Sequence, residues 1–320
     1  MTSATKLASG VRVRMTAVTV VDAPLAPAGA LSKSIVFLSG CVAVLSALAA
    51  GLGLWLTGGQ EHATITVRGG IARIYGQGLY RDDSVMMGAG FQGQDAVTLF
   101  IAVPLLLLSV RQYTRQRARG SLLLSGALAY FLYVYASMAF AAAYNRLFLL
   151  YVALLSASFF AFALTLTTSW GPASALIGAA TRMPRRLAGA FFLASGVVTF
   201  VVWTVPIASA LGAGVPPAFL DHYTTAFTHA FDLALIVPVC FVTGIAILRE
   251  RPSGYVLAFP LLGLIVLLAP MIALATWWQR EAGIAFTRGE MLGPVAGFFV
   301  LGIAGLGLGA LIWRRLERPA

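Results

Sequence analysis

Residues 254–277 read GYVLAFPLLGLIVLLAPMIALATW, an apolar run without one charged side chain. A helix of that length covers a hydrocarbon core about 30 Å thick, for which about 20 residues suffice. Seven more apolar runs accompany it, at 35–57, 96–110, 121–143, 147–168, 187–211, 226–248 and 292–313. Water is absent from the bilayer interior, so backbone N–H and C=O groups there must be satisfied within the segment, and such runs are read as helices. The composition agrees: 59% hydrophobic and 10% charged, against about 25% charged in soluble domains. The expected fold is all-α, a polytopic transmembrane bundle of about eight helices with a small extracytoplasmic β-hairpin.

Lys and Arg set the expected orientation. With the N-terminus inside, 16 of the 22 fall on the inner side, including Arg111, Arg115, Arg117, Arg119, Arg182, Arg185, Arg186, Arg249 and Arg251. The other 6 are Arg68, Arg73, Arg81, Arg146, Arg280 and Arg288. Cytoplasmic loops carry the excess, which places both termini in the cytoplasm. The acids lean the other way, with Glu61, Asp82, Asp83, Asp95, Asp221, Glu281 and Glu290 outside. The expected localisation is a bacterial plasma membrane. A net charge of +11 held in short loops against the bilayer points to anionic lipid headgroups as partners rather than nucleic acid.

The domain reading follows. Residues 1–32 are a cytoplasmic tail without an apolar stripe, 33–313 the membrane domain, and 314–320 a second cytoplasmic tail. A cleaved leader ending near Ala47-Leu48-Ala49 is the alternative for the first run, but the run has the length of a span and its basic lead-in is long. Cys41 and Cys240 both fall in apolar runs and read as small packing residues.

The stretch 58–95 is too long for a plain connector. Thr64–Val67 and Ile71–Tyr75 alternate in polarity around Arg68-Gly69-Gly70, the pattern of a hairpin. The glycine-rich segment from Gly88 to Asp95 is expected to dip into the outer interface as irregular chain, completing a second span that is otherwise short. Arg81, Asp82, Asp83 and Asp95 form a candidate outer-loop site; the bland alternative is a lid in which Arg81 pairs with Asp82 or Asp83.

Within the membrane, ionisable residues are almost absent, so His229 and Asp232 stand out. A charge at mid-membrane costs about 2.5–3.5 kcal/mol on insertion scales and needs a partner. Three residues apart on a helix, the two share a face, which Thr225 and His222 are expected to extend outward. Asp232 is expected to pair with His229, either as a functional couple or as a polar pin between helices. Tyr130, Tyr133, Ser137 and Tyr144 recur at helical spacing in the third span, followed by Asn145, and are candidate supporting groups. Gly293-x-x-x-Gly297 and Gly305-x-x-x-Gly309 read as close-packing motifs in the last span.

Tyr75–Ser84, Gly93-Gln94-Asp95, Tyr144–Val152, His229–Leu233 and Arg251–Tyr255 together resemble a group of bacterial multi-pass membrane proteins, over roughly residues 64–260. The resemblance implies the fold and brings no activity or substrate with it. The chain has no G-x-x-x-x-G-K-[ST], H-E-x-x-H or G-x-S-x-G motif and three histidines in all, so no cofactor and no metal site are expected. Three functions remain open: a protein that binds or moves a small ligand or ion without ATP through an outward-facing cavity; a membrane-embedded enzyme acting on lipid or envelope precursors, with His229 or His222 as base; and a structural or sensory partner docking through its hairpin.

Overall fold

The structure, a computed structural model, describes residues 32–115, 117–180 and 182–317. Among these residues eight helices are long and apolar enough to cross a membrane: α1 Lys33–Trp55, α2 Val85–Arg115, α3 Ala118–Phe140, α4 Phe148–Ala179, α5 Arg185–Gly212, α6 Phe227–Leu248, α7 Pro252–Glu281 and α8 Arg288–Leu316. The protein is therefore an all-α membrane bundle. Of the expected N-terminal tail only Ser32 lies within the described residues, and its hydroxyl caps α1 by accepting from Ile35 N–H. At the other end, Arg314 and Arg315 lie on the last turn of α8.

Between α1 and α2 the hairpin forms as its alternation requires. Strand β1, His62–Ile65, pairs antiparallel with β2, Ile71–Ile74. Gly69 at the turn has φ +79°, a backbone region open to glycine at little cost.

The second span corrects one expectation. Gly88–Asp95 is not irregular chain but regular helix, starting at Val85 behind the cap made by Ser84, whose hydroxyl accepts from Met87 N–H. Its glycines are there for contact. A Cβ at Gly88 would sit 2.8 Å from the Tyr75 ring, and one at Gly93 would sit 2.3 Å from the Ala275 backbone of α7. Small residues let a helix approach its neighbours this closely.

Proline explains another local feature. Turns of π-helix occupy Thr98–Ala102 in α2 and Asp232–Ile236 in α6, and each stands just before a proline, Pro104 and Pro238. Proline has no N–H and crowds the carbonyl four residues back, here Phe100 and Ala234, so the helix widens by a residue. In α8 the turn Met291–Val295 contains Pro294 itself.

Helix α3 is the most enclosed of the spans and packs on α2, α4 and α7. Where it crosses α7 the two backbones meet: a Cβ on Gly263 would lie 2.3 Å from Gly126 O. One hydrophobic cluster unites α1, α2, α3, α4 and the hairpin loop, with Tyr80, Leu106, Phe131 and Leu154 fully enclosed. A second cluster joins α5, α6, α7 and α8 around Phe192, Ile247 and Ile312. The last span's motifs divide: a Cβ at Gly305 would meet Phe191 and Ile265, whereas one at Gly293 or Gly297 would meet nothing within 4 Å among the described residues.

Contacts at the helix ends fix the sides. The hairpin side holds the 140–148 turn, the 213–226 loop and the end of α7, as Asp83 bonds to Ala143, Arg68 to Asp221 and Arg73 to Ala282 show. The opposite side joins Arg185 to Glu250 and Arg119 to the Leu316 carbonyl.

Candidate functional site

Asp232 is buried in α6, and its partner is not the one expected. Its Oδ2 accepts from Trp203 Nε1–H of α5 at 2.8 Å, and the Tyr133 hydroxyl of α3 also faces it. His229 is held elsewhere, with its ring stacked on Phe219 at 4.0 Å and 9° and edge-on to Trp203 at 4.3 Å. The expected imidazole–carboxylate bond does not form. The indole N–H, which needs a partner wherever it is buried, takes the carboxylate, and the imidazole lies between two rings.

Phe219, His229, Trp203 and Asp232 thus form one column, from the half-buried 213–226 loop to the membrane interior. At its inner end Asp232, Ser195 and Thr199 line a cavity of about 20 Å³, room for one water molecule among polar partners. Thr225 and His222 are not part of the helical face expected for them, because α6 begins only at Phe227. His222 lies in the preceding loop against Tyr223, and burial lowers its pKa.

The loop that carries Phe219 is fastened from the hairpin side. Arg68, on the hairpin turn, donates to the carbonyls of Asp221 at 2.9 Å and Tyr223 at 2.8 Å. Asp221 has φ +51°, strained for a residue with a side chain, and the Arg68 contact holds the chain there. Asp83 Oδ1 accepts from the Tyr223 hydroxyl and from Ala143 N–H, both at 2.7 Å, while Oδ2 is buried with no hydrogen-bond partner among the described residues. Burial raises the Asp83 pKa to about 7, against the opposing pull of the Ala143 N–H and the Tyr223 hydroxyl. Burial and the Asp83 charge likewise raise that of Tyr223.

The outer-loop candidates therefore separate. Arg81 and Asp82 are exposed, whereas Asp83 is 1% exposed and Asp95 is buried. Among the described residues Arg81 makes no ion pair with either neighbour. Asp95 accepts from the Tyr80 hydroxyl at 2.5 Å in a notch at Gly53 of α1, where a Cβ would fall 1.8 Å from Asp95 Oδ2. Burial, then the Asp95 charge, pushes Tyr80 well above the usual phenol range. Asp83 and Asp95 thus pin the loop to the bundle.

The tyrosine stripe divides as well. Tyr133 reaches Asp232, and Tyr130 bonds to Thr98 Oγ1 at 2.9 Å. Tyr144 is exposed beside Phe148, and Asn145 closes its turn, its Oδ1 accepting from Leu147 N–H and its amide donating to the Ala143 carbonyl. Trp203, Phe219 and Tyr223 were not among the sequence candidates. One signal pointed at Trp203: it is the single indole in 187–211, an N–H donor in a run without a charged side chain. No family model, curated protein or solved structure matches this chain.

Proposed function

We propose that this protein binds or moves a small ion, in the simplest case a proton, across the membrane without ATP, with Asp232 as its intramembrane carrier group. The observation that supports this is the column itself. A carboxylate beside a polar, water-sized cavity is separated from the hairpin side by three rings in succession, the outermost of them on the 213–226 loop. In this reading Phe219, His229 and Trp203 are a closed gate, and Arg68 with Asp83–Tyr223 is its latch. An intramembrane carboxylate is costly and is by default a candidate for ion handling. The outward cavity expected from the sequence belongs to the opened gate, and the hairpin side would be extracytoplasmic in a bacterial plasma membrane, with the Arg-rich ends in the cytoplasm.

The test is proton flux in reconstituted vesicles across pH 5–8. Phe219→Ala should raise flux severalfold over wild type, and Asp232→Asn should abolish it in both backgrounds. Silence of wild type and Phe219→Ala under imposed proton and alkali-cation gradients would overturn the proposal, as would flux indifferent to Asp232→Asn.

The enzyme reading has less support, since His229 has rings rather than a carboxylate to orient it. The docking reading has one observation in its favour: Ile65, Val67 and Ile71 stand exposed on the hairpin. Deleting 62–74 while retaining wild-type flux, with loss of an envelope phenotype, would favour it over the carrier.

A further inference from the structure

On the side opposite the hairpin, α2, α3, α7 and α8 leave a groove of about 630 Å³ between them. This lies within the about 300–1,000 Å³ of small-molecule sites. It exists because of glycine: Gly126 and Gly263 bring α3 and α7 together at its floor, and Gly305 and Gly309 remove side chains from the α8 wall.

The groove's chemistry changes along its length. From Leu105 to Arg115 it follows α2 for about 15 Å at 1.5 Å per residue. Most of that length is leucine, alanine and glycine. One end carries Arg111 and Arg115, four residues apart and hence side by side on the helix, both exposed and neither in an ion pair among the described residues. Arg119 is committed to the Leu316 carbonyl and ties α3 to α8 beside that end. At the rim Leu108 and Leu306 are each 60% exposed. They stand within spanning segments, so the opening faces hydrocarbon rather than water.

We infer that this groove is a binding site for one anionic phospholipid, with an acyl chain along the apolar trough and the headgroup phosphate on Arg111 and Arg115. The exposed rim indicates that the occupant arrives from the bilayer, and the paired guanidiniums indicate that it is negatively charged. Arginine binds phosphate oxygens through paired N–H donors, and in a zwitterionic headgroup the attached ammonium offsets the attraction of the two guanidiniums. The site is separate from the Asp232 column and does not depend on the carrier reading. It also goes beyond a general attraction of basic loops to the surface, because it has one chain's worth of space and a defined pair of cations.

Native mass spectrometry of the full chain in detergent micelles tests it, titrating phosphatidylglycerol or phosphatidylcholine of identical acyl chains. Wild type should retain one phosphatidylglycerol at least tenfold more tightly than phosphatidylcholine. The surface double variant Arg111→Gln/Arg115→Gln should lose that preference, and Gly309→Leu, which fills the trough, should weaken both lipids about equally. Equal retention of the two lipids by wild type would overturn the proposal, as would a double variant that keeps the preference. So would a dimer of this chain that Gly309→Leu dissociates, because a second copy would then be the occupant.

Discussion

Tyr223 gives its hydroxyl hydrogen to Asp83 Oδ1 at 2.7 Å, joining residues 140 positions apart and fixing the 213–226 loop to the segment that follows the hairpin. Removing that hydroxyl leaves a buried carboxylate one donor short. Tyr223→Phe should therefore cost about 1–3 kcal/mol, read as a lower thermal midpoint in detergent. A reagent for cysteine, offered from the hairpin side, should label a cysteine placed at Phe219 faster in the Tyr223→Phe background than in its absence.

The same carboxylate gives stability a pH slope. Its folded pKa, about 7, lies above the about 3.9 of an unfolded aspartate, so between those values the folded state holds more protons. The Asp83 contribution is then complete below about pH 4, falls as pH rises toward 7, and is level above that. His222, with a lowered pKa, works in the opposite direction, losing stability as pH falls below about 6.5. The difference between wild type and Asp83→Asn isolates the aspartate. Thermal midpoints from pH 4 to 8 should show wild type losing ground to the variant as pH rises.

Trp203→Phe keeps the ring on His229 but takes the N–H from Asp232. A hydrogen bond to a charged group is worth about 1.5–3 kcal/mol, and the loss should be of that order. In the Asp232→Asn background the same substitution should cost less, and a double-mutant cycle of thermal stabilities measures the difference.

Gly53→Ala places a methyl group on the Asp95 carboxylate. Overpacking of this kind costs about 1–3 kcal/mol. The penalty should shrink when Asp95→Ala clears the notch, so the two substitutions should be less than additive in a denaturation series.

Much of the scaffold was legible in the sequence. The eight apolar runs, the hairpin and the excess of arginine on one side are local or periodic signals, and they require no knowledge of which helices touch. Gly88 and Gly93 misled because a glycine admitting a neighbour and a glycine breaking a helix are written alike; only Tyr75 and Ala275, remote in the chain, tell them apart. Asp232 was identifiable by the cost of burying it. Its partner was not, because proximity along α6 favoured His229, whereas the donor came from α5, 29 residues away. The column's outer end was hidden for the same reason: nothing near Phe219 in the chain announces that it will cover an imidazole.

Where Gly126 and Gly263 meet, two backbones touch with no side chain between them, so that crossing has no rotamers to shuffle. The contact is set by backbone shape alone, and a methyl group on either residue has no conformation that avoids it. A side chain larger than hydrogen at either glycine would push α3 off α7, and since both hydrophobic clusters include residues of these two helices, a change at this one point would reach them both.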